Sequence, residues 1–149
     1  MNLTQKESSL LKELKGQEKL CVDKYSRHSS CAVDTQLKDL FTRIANEEQQ
    51  HLDTLTQIEN GTVPAVSQTE KQMPAFNSVY SAVENNDKKN DCYLCTDLLT
   101  GEKHTSSLYD TCVFEFRDEG VRNVLNHIQK EEQNHGKMIY DYMSANGMY

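Results

Sequence analysis

Residues 46–52 read NEEQQHL and residues 130–136 read KEEQNHG, the same Glu-Glu-Gln-x-His phrase at an offset of 84. The offset holds well beyond the phrase. Leu14 answers to Leu98, Glu18 to Glu102, Tyr25 to Tyr109, Asp34 to Asp118 and Ile44 to Ile128. A chain with such an internal repeat is constrained before any other feature is read, because whatever unit the first half forms must form again in the second.

That unit is a helical hairpin. Leu11, Leu14, Glu18, Cys21, Tyr25 and His28 recur at alternating steps of three and four, which places them on one face of a helix. Thr4 and Glu7 have the form of a capping box, so a first helix is expected over about 5–30. Asp34 is the expected N-cap of a second helix, about 34–59. Its inward face reads Leu37, Phe41, Ile44, Glu48, His51, Leu55 and Ile58. Asn60-Gly61 ends it. A third helix is expected over about 91–116, with Cys95, Leu98, Glu102, Thr105, Tyr109, Cys112 and Phe116 inward. Asp118 then caps a fourth, about 118–145, showing Val121, Leu125, Ile128, Glu132, His135, Ile139 and Tyr142.

Residues 60–90 hold both prolines and the polar run ENNDKKND, and read as a crossover, with a short helical piece expected near AFNSVYSAVE. A helix of ~26 residues is ~39 Å long, and a linker this size covers that distance at ~3.3 Å per residue. The expectation is an all-α single domain over 1–149, two hairpins joined by a long connection into a four-helix bundle.

Composition agrees and removes some functions. The chain is rich in helix formers and has no tryptophan. A formal net charge of −7 argues against a nucleic-acid backbone or an anionic membrane as partner. No apolar run reaches the roughly 18 residues a membrane span needs. The opening MNLTQKESSLLKEL has no apolar secretory stretch, which places synthesis in the cytoplasm. The five cysteines are odd in number and read as reduced thiols.

The repeated phrase points to metal. Residues three apart share a helix face, so Glu48 with His51, and Glu132 with His135, each reach one point inside the bundle. Glu18 and Glu102 lie mid-helix on the other apolar stripes. Each precedes its Glu-x-x-His glutamate by thirty residues, so in antiparallel hairpins all arrive at one level. No Lys or Arg lies on those stripes. Burying a carboxylate without a partner carries a penalty of several kcal/mol. Two divalent cations would cancel four carboxylates and accept six ligands, the pattern of dimetal carboxylate bundles.

On these residues the chain resembles the ferritin-like superfamily in its rubrerythrin-like form. From LLKELKGQEKLCVDKYSRHSSCAVDTQLKDLFTRIANEEQQHL to HIQKEEQNHGKMIYDYMSANGMY its wording is closest to the spore coat F family. The resemblance implies a ferritin-like bundle. It makes Glu18 and His51 terminal ligands of one ion, Glu102 and His135 terminal ligands of the other, and Glu48 and Glu132 bridges. Iron and manganese both suit this set, and zinc can occupy it in purified protein. The resemblance also implies residence in the spore coat and coat proteins as partners. A homodimer stays open.

Around the ligands, Glu47 and Glu131 are expected to hold histidines across the bundle; the alternative is plain helix-surface glutamate. Tyr25 and Tyr109 lie two turns beyond Glu18 and Glu102. They could hydrogen-bond a ligand or donate an electron, or simply pack with a satisfied hydroxyl. Cys21 and Thr105 read as small core residues. Cys92 and Cys95 form a lone C-x-x-C, so a rubredoxin-type site is absent. Near a helix N-terminus that pair could be redox-active. His28, His104 and His127 read as surface or structural, and Tyr140, Tyr142 and Tyr149 as core or surface residues that could cross-link in a coat. Two functions follow: an oxidoreductase acting on peroxide or dioxygen, or a structural coat protein with a stabilising or vestigial metal site. Iron storage would need a closed cage, for which the sequence offers no sign.

Overall fold

A computed structural model describes residues 1–149. It is all-helical: α1 (Gln5–Cys31), α2 (Thr35–Glu59), α3 (Asn86–Glu115) and α4 (Glu119–Ala145). Local chemistry explains the boundaries. Thr4 accepts the Glu7 N–H while Glu7 accepts the Thr4 N–H, a complete capping box. Asp34 accepts from Gln36 N, and Asp118 from Val121 N. Gly61, past the end of α2, has φ +89°, a conformation glycine adopts without strain.

Two local expectations are corrected. The third helix begins at Asn86, ahead of 91, because Asn85 is its N-cap and accepts from Lys88 N at 2.8 Å. Asp91 is therefore inside α3, fully buried, and its carboxylate accepts the N–H groups of Val33 (2.8 Å) and Asp34 (3.0 Å) from the α1–α2 turn. The second correction concerns residues 75–84, which form no helix. The N–H groups of Val79 and Tyr80 both donate to Asn146 Oδ1, and the Phe76 ring packs edge-on against Tyr142 at 5.4 Å. Tertiary partners take the donors a helical turn would have used.

Packed neighbours run antiparallel. Each hairpin pairs within itself, α1 also meets α3, and α2 meets α4. The crossover returns the chain along the bundle. The inward stripes are buried as their spacing predicts, except that His28 is only partly covered and contacts Asp97 at 2.7 Å. The core is divided. One apolar cluster of 15 buried residues, around Phe41, Leu98 and Tyr142, fills one end. Another of 11, around Leu14, Ile58 and Leu125, fills the other. The layer between them is polar.

The turns are locked reciprocally. Glu7 and Asp91 are repeat equivalents. Glu7 accepts Arg117 N–H at 2.9 Å from the α3–α4 turn, just as Asp91 holds the α1–α2 turn. Each hairpin's first helix fastens the other hairpin's bend.

Candidate metal centre

The middle layer holds Glu18, Glu48, His51, Glu102, Glu132 and His135, all buried. Glu18, Glu48, His51 and Glu132 offer ligand atoms within 4.8 Å of one another. Glu48, Glu102, Glu132 and His135 do the same. Glu48 and Glu132 belong to both groups. Each imidazole turns Nδ1 inward: His51 Nδ1 lies 2.9 Å from Glu132 Oε1 and 3.6 Å from Glu48 Oε1. His135 Nδ1 lies 2.8 Å from Glu48 Oε1 and 3.4 Å from Glu102 Oε1. The two rings stack at 5.8 Å.

Polar atoms here lack what a dry interior demands. Glu18 Oε2, both Glu48 oxygens, Glu102 Oε2, Glu132 Oε2 and both His135 nitrogens are buried without a hydrogen-bond partner of acceptable geometry. Buried polar groups are ordinarily satisfied, and here carboxylate oxygens and an imidazole nitrogen aim at shared points instead. The donors, four carboxylates and two neutral nitrogens, suit hard to borderline divalent ions such as iron or manganese. The residues fit two such ions.

The crowding of acids shifts the ionisation of every group in the layer. Burial, then neighbouring Glu48, pushes the Glu18 carboxyl well above its ordinary range. Burial and the Glu132 charge do the same to Glu102. For His51 and His135, burial opposes the charge but the facing carboxylates outweigh it, and both imidazoles are held protonated well above their usual range. For Glu48 and Glu132, burial is likewise outweighed by the close approach of the Glu18 and Glu102 carboxyls and of the histidines, and both are lowered.

The surrounding shell crosses between hairpins. Tyr109 donates to Glu18 Oε1, and Tyr25 to Glu102 Oε1, each at 2.5 Å. Each tyrosine thus holds the other hairpin's mid-helix glutamate. On the outer side, His51 Nε2 contacts Glu131 Oε1 at 3.1 Å. His135 Nε2 lies 3.9 Å from Glu47 Oε2, beyond a hydrogen bond. Cys21 and Thr105 meet each other at 3.5 Å.

Sequence reasoning missed Lys71. This crossover residue places Nζ 3.0 Å from Glu47 Oε1 and 2.6 Å from Glu131 Oε2, bridging the two carboxylates behind the histidines. Burial favours raising Glu47 and Glu131, but His135 with Lys71, and His51 with Lys71, hold each near about 2. No periodicity marks a crossover lysine, and only the run of acidic partners could have suggested one. Arg43 (3.2 Å from Glu47) and His127 (3.2 Å from Glu131) complete this shell.

The cysteine pair is not poised for redox chemistry by a helix N-terminus. With α3 starting at Asn86, Cys92 and Cys95 lie beyond its first turn, and burial pushes the Cys95 thiol up, not down. All five cysteines are free. Tyr142 is buried and donates to Asp34 Oδ2 at 2.7 Å, while the rings of Tyr140 and Tyr149 meet at 5.0 Å on the surface. No helix is long and apolar enough to cross a membrane.

Comparison with known proteins places the second hairpin. Residues 90–149 match the Coat F domain. The match covers under half of the chain and supports a likeness of this segment to the spore coat F family. The Coat F segment carries Glu102, Glu132 and His135, and the internal repeat supplies their counterparts outside it. No curated protein and no solved structure matches the chain.

Proposed function

We propose that the chain is a ferritin-like, two-metal carboxylate protein of the spore coat whose centre reacts with peroxide or dioxygen. The observation that carries this reading is the set of unpartnered buried atoms on Glu18, Glu48, Glu102, Glu132 and His135. Such a layer costs stability unless cations complete it.

Glu18 and His51 would hold one ion, Glu102 and His135 the other, and Glu48 and Glu132 both. Iron or manganese, if bound there, would supply electrons for reduction of peroxide or dioxygen. The chain's own residues do the positioning. Tyr109 and Tyr25 each hold one oxygen of a terminal glutamate, leaving the other free to bind. Glu131 accepts the Nε2–H of His51 and so directs Nδ1 inward. The apolar clusters above and below exclude water from the layer. The hydroxyl protons of Tyr25 and Tyr109 are the nearest to the carboxylates in the neutral shell.

The test is anaerobic loading with Fe(II), then addition of peroxide while the visible spectrum is followed. Oxidation within seconds, abolished in E48Q, supports the reading. A protein that binds about two ions per chain yet shows no oxidation within minutes is a coat scaffold with a stabilising or vestigial metal site.

A further inference from the structure

The internal repeat allows the two faces of the centre to be compared position by position. One turn beyond Glu18 and Glu48, the first hairpin carries Val22 and Leu52. One turn beyond Glu102 and Glu132, the second carries Ser106 and Gly136. Bulky apolar side chains are thus replaced by a hydroxymethyl group and a hydrogen. Glu18 and Glu48 are 0% exposed, whereas Glu102 retains 5%.

The consequence is a groove of about 520 Å³ between α3 and α4, with Glu102 and Glu132 in its wall beside Ser106 and Gly136. Lys103 and Asp110, of opposite charge, also line it and are exposed. Both residues carry an Oε2 that is buried and without a partner, so the groove ends on side chains whose unpaired oxygens lie inside its wall. The other approach, beside the crossover, differs. A cavity of about 1010 Å³ there reaches Glu47 and Glu131 but none of the six centre residues, and a cleft of about 200 Å³ reaches His51 and Glu131; Lys71 lines both. A cation would meet an ammonium group and carboxylates already paired with it.

We infer that divalent cations reach the centre through the α3/α4 groove, over Ser106 and Gly136, and not from the crossover side. This rests on the two-metal reading. Small neutral oxidants share the path, since nothing in the groove selects for charge alone. The asymmetry assigns a use to the departure of one hairpin from its repeat: the first seals the centre and the second admits to it.

The test converts the open face into the sealed one. Gly136→Leu with Ser106→Val installs the residues found at the equivalent first-hairpin positions. A Cβ at Gly136 would meet only Leu99 Cδ1 at 3.5 Å, an ordinary contact. Uptake of Co(II) is followed by stopped-flow through its visible absorption, with no turnover required. The double variant is expected to take up cobalt at least ~10-fold more slowly, because a sealed path must wait for local opening, while reaching the parental stoichiometry and final spectrum. Thr54→Phe, which narrows the cleft beside the crossover, is expected to leave the rate unchanged. Parental uptake by the double variant, or slowing in Thr54→Phe alone, overturns the inference while leaving the two-metal reading intact. If the double variant does not fold, Ser106→Val against Thr54→Phe decides by the same comparison. Cobalt that fails to bind the parental protein at all removes the two-metal reading, and this inference with it.

Discussion

At the scale of single residues, the centre is a problem of protons as much as of metal. The facing carboxylates push both imidazoles up, burial and neighbouring charge push Glu18 and Glu102 up, and Glu48 and Glu132 are lowered. A divalent ion competes with protons for the same nitrogens and oxygens, so loading should release protons. Acid therefore weakens binding. Calorimetric titration with Co(II) in buffers of different ionisation enthalpy measures the count directly. Loading that releases no protons at any pH would contradict this competition.

At the scale of elements, the helices were legible because their signals are local and periodic. Leu11 to Tyr25, Leu37 to Ile58 and their counterparts each place one side chain per turn inward, and burial follows. The meeting of Glu18, Glu48, His51, Glu102, Glu132 and His135 could be read from the same periodicity, once the 84-residue offset and equal spacing fixed their level. What escaped was long-range and aperiodic. Asp91 stands where the third helix is expected to start, yet its carboxylate serves a turn 57 and 58 residues away. Lys71 sits in a crossover whose course depends on where α2 and α4 present Glu47 and Glu131.

The reciprocal turn locks belong to this scale. Glu7 is held near about 2, since the Arg117 guanidinium and the Arg117 and Thr4 N–H groups outweigh the burial that would raise it. A folded value below the ordinary 4.5 means its stabilisation is present above pH 4.5 and lost as pH falls toward about 2. Glu7→Gln is expected to cost ~1–3 kcal/mol at neutral pH. That corresponds to roughly 2–10 °C in melting temperature. The gap between variant and parent should close as pH is lowered through that window, which thermal melts followed by circular dichroism would show. A gap independent of pH would assign the effect to packing.

At the scale of the whole molecule, the bundle is two apolar clusters separated by a layer of acids and imidazoles. Ions that bind the folded chain and not the unfolded one add stability by mass action, about 2.7 kcal/mol at a free concentration 100 times the dissociation constant. Loading should therefore raise the melting temperature by roughly 5–10 °C. It should also sharpen the transition, because the two clusters then share a rigid middle. Scanning calorimetry of chelated and loaded protein tests both. A chelated protein that melts as sharply and as late as the loaded one would mean that the layer needs no ions.

The exchange of partners between halves has one more outcome. Tyr25 serves the glutamate of α3 and Tyr109 that of α1; Asp91 ties down the bend after α1, and Glu7 the bend after α3. Neither half owns a finished set of contacts. The stretch from Asn86 onward, taken alone, would keep Glu102, Glu132 and His135 but forfeit every group that steadies them from across the interior. A piece of that kind would have to find a twin, and two such twins, facing each other as the present halves do, would rebuild the same chamber.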